Sequence, residues 1–484
     1  MSFTSLAFIL FFVILFALYW CCPTKYKWAV LLLGSCWFYY NSIGAYFPAI
    51  AATTVGAYFA ALGMERYAQA QQKRRYLFAG ILLTAGLLLF FKYTAFLWES
   101  VGAFLQLFSI SLSPFTKRLL QPIGISFYTL QTLSYLIEVY RGRKAEHHFG
   151  IFALYIGFFP QLVSGPIGSS DSLLPQYHAP RPFCAEYALQ GAVTFLWGAF
   201  KKMCIADRVA YYVDNAYNVP EGVSGLSLLV AVLLYSIQIY ADFSGYSDMA
   251  LGSAQLLGID LVQNFKTPYF AYSIKEFWSR WHISLSTWLK KYIYIPLGGN
   301  RKGSFRTYVN LFITFLFSGL WHGANFTFLI WGGLHGIYQI IGRATQNWRN
   351  KLYKSLHISQ TSGLVHIWKS LCVFMLASFA WVFFRAENVT SAFFILHKIA
   401  TDMSFSVQSI KDAFVLMGFD VTSLLTTFGL ITFGFLCDLG IGQKIGGTWI
   451  LQHKRLSRIA LCYILIFSLF FFSYSGGIGI YFAF

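Results

Sequence analysis

Three histidines occupy positions where an ionisable side chain is expensive to keep. His282 lies in Ser279-Arg280-Trp281-His282-Ile283-Ser284-Leu285-Ser286. His322 lies in Ser318-Gly319-Leu320-Trp321-His322-Gly323-Ala324-Asn325, and His335 in Trp331-Gly332-Gly333-Leu334-His335-Gly336. Residues 308–338 contain no formally charged side chain, so His322 and His335 fall inside an apolar stretch. A titratable group in such a stretch is a functional candidate by default. An imidazole is also the usual general acid or base near neutral pH. Gly319 and Gly323 bracket His322, and Gly332, Gly333 and Gly336 surround His335. Small residues let a second helix, or a ligand, approach closely. The competing interpretation of each histidine is a ring hydrogen-bonded between packed helices with glycine as the packing surface. That interpretation suits His335 more than His322.

A second polar cluster precedes these. Tyr240-Ala241-Asp242-Phe243-Ser244-Gly245-Tyr246-Ser247-Asp248-Met249-Ala250 places Asp242 and Asp248 in an apolar neighbourhood with no adjacent basic residue. A buried carboxylate without a partner costs several kcal/mol. Each should therefore find a donor: a nearby Ser or Tyr hydroxyl, or Arg280. A structural role fits the two carboxylates best.

Between these clusters, residues 263–306 are basic and aromatic. Lys266, Lys275, Arg280, Lys290, Lys291, Arg301, Lys302 and Arg306 face one acid, Glu276. Helical spacing puts Trp278, Trp281, Leu285, Trp288 and Leu289 near one stripe. This predicts a helix in or against the membrane interface with its cations toward headgroups. The sharper expectation is that the cations also hold a phosphate-bearing donor from the cytosol.

The elements that position these groups must cross a membrane. Hydrophobic residues make up 57% of the 484-residue chain and charged residues 11%, against about 25% charged in a soluble domain. Apolar runs recur at residues 5–22, 77–98, 119–140, 226–240, 364–384 and 459–472. Together they predict roughly ten to twelve membrane segments, some short or tilted. The fold class is all-α and polytopic. The first segment reads as a span, since no Lys or Arg precedes it and no small-x-small site follows. Basic residues after the first span (Lys25 and Lys27) and again two and four spans later (Arg66 and 73–75; Arg141, Arg143 and Lys144) favour an N-terminus outside. The net charge of +18 is spread between apolar spans, which suits the positive-inside bias and anionic lipid and argues against nucleic acid. Eight cysteines occur without CxxC or metal-like spacing. They predict free thiols, no disulfide and no metal site.

No linker or internal repeat interrupts the chain, so one membrane domain is expected over residues 1–484. Its core motifs run over 161–338, with peripheral helices over 1–140 and 364–484. Residues 164–182 read as a Pro/Gly/Ser loop. Residues 385–421 read as an external amphipathic stretch with a surface helix.

The run YADFSGYSDMALG, then NFKTPYFAYSIKEFWSRWHISLSTWLKKYIYIPLGGNRKG, then RTYVNLFITFLFSGLWHGANFTFLIWGGLHGIY resembles the membrane-bound O-acyltransferase family. The match lies within the bacterial branch typified by the alginate O-acetylation membrane protein. It extends upstream through Trp197-Gly198-Ala199-Phe200-Lys201-Lys202 and Gln161-Leu162-Val163-Ser164-Gly165-Pro166-Ile167. After Gly-Pro-Ile many relatives carry an Arg where this chain has Ser169 and Ser170, which weakens an anion contact there.

The resemblance implies a horseshoe of helices around a central funnel or pore, with a cytosolic acyl donor reaching a central His. That residue would be His322, and the family's second His would be His282. The donor would be acetyl-CoA, with no permanently bound cofactor. The acetyl group would pass to an exopolysaccharide or cell-wall glycan, through an extracytoplasmic SGNH-type partner or directly. The location would be the bacterial inner membrane.

In the expected mechanism a neutral His322 accepts a proton from an acceptor hydroxyl, which then attacks the thioester carbonyl. His282 orients the thioester or assists proton movement. Arg280, Lys290, Lys291 and Arg301 would meet the donor's phosphates, with Trp281 and Trp288 beside them. Asp242, Asp248, Asn325 and His335 would support the site. This needs position 322 to face a cavity that a thioester can enter from the cytosol. Two alternatives are D-alanyl transfer from a carrier protein to teichoic acid, and a non-enzymatic transporter whose polar groups line a path.

Overall fold

The computed structural model describes residues 1–43, 46–113, 121–442 and 455–474. Among them every regular element is a helix. The parts of the expected C-terminal region at 443–454 and 475–484, and the start of the apolar run at 119–140, lie outside the described residues.

Five helices have the length and apolarity to cross a membrane: Phe47–Arg66, Ala70–Gln106, Gly225–Leu256, Gly363–Arg385 and Val421–Leu439. Three shorter ones, Leu6–Cys21, Val389–Thr401 and Ile459–Phe472, are apolar as well. These are the candidates among the described residues alone, and they agree with an all-α polytopic membrane protein. The apolar side chains point outward in quantity. Leu82 is 75% exposed, Leu364 79% and Phe470 82%, as lipid-facing surfaces require and water-facing ones do not.

The described residues form two compact units. The first comprises Met1–Phe195 with Met249–Val262. In it Phe47–Arg66 packs on Ala70–Leu88, and both pack on Ile125–Tyr140. The segment 164–182, expected as a loop, contains the helix Ser170–His178. Ser169 caps it by accepting a hydrogen bond from Ser172 N, and Asp171 lies in its first turn. Arg143 is bonded to both Ser170 and Asp171.

The second unit comprises Leu196–Asp248 with Gln263–Phe484 and contains all three candidate histidines. At its centre the helices Gly303–His322 and Phe326–Ala344 lie side by side. Glycine makes that contact possible. A Cβ on Gly319 would stand 2.2 Å from the Phe328 carbonyl oxygen, and one on Gly332 2.3 Å from that of Phe315. The expected amphipathic helix over the tryptophan stripe is not continuous. It breaks at Trp281-His282 into Ile274–Arg280 and Ile283–Leu289, followed by a π-turn at Lys290–Tyr294. Trp278, Trp281, Leu285, Trp288 and Leu289 are all buried, so the stripe faces protein and not headgroups.

Candidate functional site

His322 is the last residue of its helix. Gly323 caps the end in an extended conformation, its N–H reaching back to the Gly319 carbonyl. Asn325 starts the next helix, its side-chain oxygen accepting from Thr327 N at 3.0 Å. The Asn325 amide donates to the Glu387 carbonyl at 2.8 Å, tying the turn to the segment behind it. The turn holds the imidazole within a cage of rings. Centroids of Trp321 and Trp331 each lie 4.9 Å from it, and that of Phe384 5.3 Å.

His282 sits at the helix break with φ +44° and ψ +54°, a left-handed conformation that a non-glycine residue adopts only when its surroundings impose it. Asn264 imposes it. The Asn264 carbonyl accepts from Ile283 N at 2.9 Å, and its side-chain oxygen accepts from Ser284 N at 3.2 Å. Asn264 also donates to Ser247 Oγ at 3.4 Å. The His282 ring is fully buried, 4.7 Å from the ring of Phe243 and 6.4 Å from that of His322. One small reacting group could touch both imidazoles.

His335 is buried on the neighbouring helix. The Trp278 indole donates to His335 Nδ1 at 3.2 Å, and the His335 ring lies 5.1 Å from that of Trp331. Trp278 is also in the wall of a cavity of about 1600 Å³, larger than the 300–1,000 Å³ typical of small-molecule sites. Lys275, Lys290, Arg301, Arg343, Arg349 and Lys369 line this cavity, and no acid among the described residues does. Tyr272, Tyr294, Tyr338, Tyr353 and Trp368 add aromatic faces.

The structure brings some expected residues together and separates others. Lys290 and Arg301 line the cavity; Arg280, Lys291, Trp281 and Trp288 do not. Arg280 is held by Glu276 at 2.6 Å within its own helix. The Trp281 ring lies 5.1 Å from that of Trp381, and Trp288 packs on Tyr292. Lys291 stands over the Tyr292 ring. Lys275, one of the basic residues of 263–306, lines the cavity too, whereas Arg343, Arg349 and Lys369 went unnoticed as cavity cations. A signal existed: no Asp or Glu occurs between Glu276 and Glu387.

His322 does not line this cavity and is 3% exposed. The expected direct opening at position 322 is therefore replaced by a layer of rings. Trp278 and Phe315 form part of the cavity wall, Trp331 packs against Trp278 with ring centroids 5.8 Å apart, and His322 follows.

Asp242 and Asp248 have partners other than those expected. Lys202 bridges Asp242 at 2.6 Å and Asp207 at 2.7 Å, while Lys201 holds Asp248 at 2.6 Å. Tyr240 donates to Asp438 at 2.6 Å. Both lysines lie on a π-turn, Lys201–Ala206, and both are buried. The donors come from a segment about forty residues upstream, out of reach of local sequence spacing.

Two buried imidazoles thus lie side by side, one ring layer from a basic cavity, in a helical membrane protein. Comparison with known proteins gives the class. The model of the membrane-bound O-acyltransferase family matches residues 69–386. The chain is 36% identical to the probable alginate O-acetylase of Pseudomonas aeruginosa over 437 residues, 90% of this chain and 81% of that one. It is 37% identical to the Azotobacter vinelandii protein of the same name over 447 residues, 92% and 85% of the two chains. It is also 37% identical to the peptidoglycan O-acetyltransferase of Helicobacter pylori over 394 residues, 76% and 72% of the two. The chain belongs to the membrane-bound O-acyltransferase family. It is a multi-pass membrane acyltransferase, and the transporter alternative falls.

Proposed function

We propose that this enzyme moves an acetyl group from cytosolic acetyl-CoA to a hydroxyl of an extracellular polysaccharide or cell-wall glycan, directly or through an extracytoplasmic SGNH-type partner. The observation that carries this reading is the acid-free cationic cavity, whose wall lies one ring layer from His322. Phosphates and an adenine ring suit six cations and several aromatic faces. The cavity belongs on the cytosolic side, where Lys and Arg accumulate between spans. The enzyme would sit in the bacterial inner membrane with its N-terminus outside.

His322 is the general base. It takes the proton of the acceptor hydroxyl as that oxygen attacks the thioester carbonyl carbon. The C–S bond then breaks, CoA leaves as thiolate, and the proton passes from the imidazole to sulfur or solvent. His282 orients the thioester from its strained turn. For the acyl end to arrive, the Phe315 side chain in the cavity wall must move aside, a gating step of the kind that often limits turnover.

The relatives' names favour an acetyl group and a glycan: alginate for two of them, peptidoglycan for the third. D-alanyl transfer from a carrier protein is the second reading. The concave, many-cation cavity suits a free nucleotide donor better than an arm projecting from a protein. Purified protein given acetyl-CoA labelled in the acetyl group should transfer label to an added glycan or to the partner. His322→Ala should abolish transfer while insertion and thermal stability persist. Normal transfer by that variant would remove His322 from the mechanism.

A further inference from the structure

Two N–H groups near His322 lack what every other consideration says they should have. Trp331 and His335 are fully buried. Trp331 Nε1 and His335 Nε2 nevertheless have no hydrogen-bond partner among the described protein groups. An indole N–H only donates, so the bond from Trp278 Nε1 to His335 Nδ1, 3.2 Å long, makes Nδ1 the acceptor. The proton of the neutral His335 ring is therefore on Nε2. Both orphaned atoms are donors, and a buried donor without an acceptor costs about 1–3 kcal/mol.

The two residues stand four apart on the helix Phe326–Ala344, so they occupy successive turns of one face. Their ring centroids are 5.1 Å apart, and that of Trp331 is 4.9 Å from His322. No charged side chain occurs within 308–338, so no carboxylate on this helix or the one before it competes for these N–H groups. Neutral, fixed donors beside a general base, in a desolvated place, are what a developing oxyanion needs.

We propose that Trp331 Nε1–H and His335 Nε2–H bind the carbonyl oxygen of the acyl donor and stabilise the negative charge that forms on it when the acceptor oxygen attacks. Trp278 acts as the positioning residue, because its indole fixes the tautomer of His335. It also lies in the cavity wall, so arrival of the donor and setting of the donor pair involve the same side chain. This inference rests on the acyl-transfer reading above.

The test uses the full-length protein in lipid nanodiscs with two analogues of acetyl-CoA. Acetonyl-CoA keeps a carbonyl and S-propyl-CoA lacks one at similar length. The native enzyme should bind the ketone more tightly. Trp331→Phe keeps a ring but removes the N–H. It should lose about a hundredfold in kcat, raise KM for acetyl-CoA by no more than the native preference for the ketone, and bind the two analogues alike. His335→Leu should behave the same way, and His335→Gln, which still donates, should recover most of the loss. Undiminished binding of S-propyl-CoA shows that each variant is folded. A Trp331→Phe enzyme with native kcat and native preference for the ketone overturns the proposal. Activity persisting in His322→Ala overturns the acyl-transfer reading instead, so the two failures are distinguishable.

Discussion

Around Lys201 and Lys202 the second unit buries charge and pairs it. One ammonium spans Asp207 and Asp242, the other holds Asp248, and the neighbouring Asp438 accepts from Tyr240. Around His322, among the described residues, the same unit buries no charged pair, surrounds an imidazole with rings, and leaves Trp331 Nε1 and His335 Nε2 without acceptors. Both regions lie in apolar surroundings and both carry expensive polar groups. In the first the charges are met inside the chain, as a scaffold requires. In the second the two N–H groups are left over, as the proposed site for the acyl carbonyl requires. Burial of a titratable group is therefore a poor guide to function until its partners are counted.

The largest expected effect comes from breaking the paired region. Lys202→Met leaves Asp207 and Asp242 buried without their cation. Removing one member of a buried charge set costs about 3–5 kcal/mol, comparable with the stability of many domains. The variant should accumulate poorly and melt well below the native protein in detergent. His322→Ala should melt like the native protein and transfer nothing. If the Lys202 variant were stable but inactive, the contrast between scaffold and site would be wrong, and Lys202 would belong to the reaction.

A smaller effect is expected at the junction of the two regions. Asn264 holds the left-handed turn at His282 through Ser284 N and donates to Ser247 Oγ. Asn264→Ala gives up these bonds and leaves the Ser284 N–H without its side-chain acceptor, a loss of about 1–3 kcal/mol. The turn can then relax toward an ordinary backbone conformation. Transfer should fall more steeply than thermal stability, since the His282 ring is displaced while most packing survives. Equal losses of both would demote His282 to a packing residue.

How far the molecule was legible follows from the range of each signal. His322 and His335 stood out because a long stretch without charge is visible in one dimension. The membrane class stood out for the same reason. The partners of Asp242 and Asp248 did not, because Lys201 and Lys202 reach them from a preceding helix. The break at His282 was hidden because local spacing favoured a continuous helix, and only the tertiary clamp from Asn264 overrides it. The cavity cations were half legible. Lys290 and Arg301 lie in the motif-rich segment, whereas Arg343, Arg349 and Lys369 lie in and beyond the last turn of the next helix and look like ordinary interfacial residues.

Those last cations supply the smallest and most discriminating test. Under the proposed function each would contribute one charge-assisted contact to an anionic donor, and salt should screen it in part. Arg343→Gln or Lys369→Gln should raise KM for acetyl-CoA severalfold, leave kcat unchanged, and lose most of the difference from the native enzyme as ionic strength rises. The double variant should approach the product of the single effects, because distant contacts add. Trp331→Phe should show the opposite pattern, with kcat lowered far more than KM is raised and little salt dependence. Cavity and ring cage would then be separate devices, one for holding the donor and one for activating it. A cavity variant that lowered kcat alone would merge them and place the phosphates, and not the carbonyl, at the step that limits turnover.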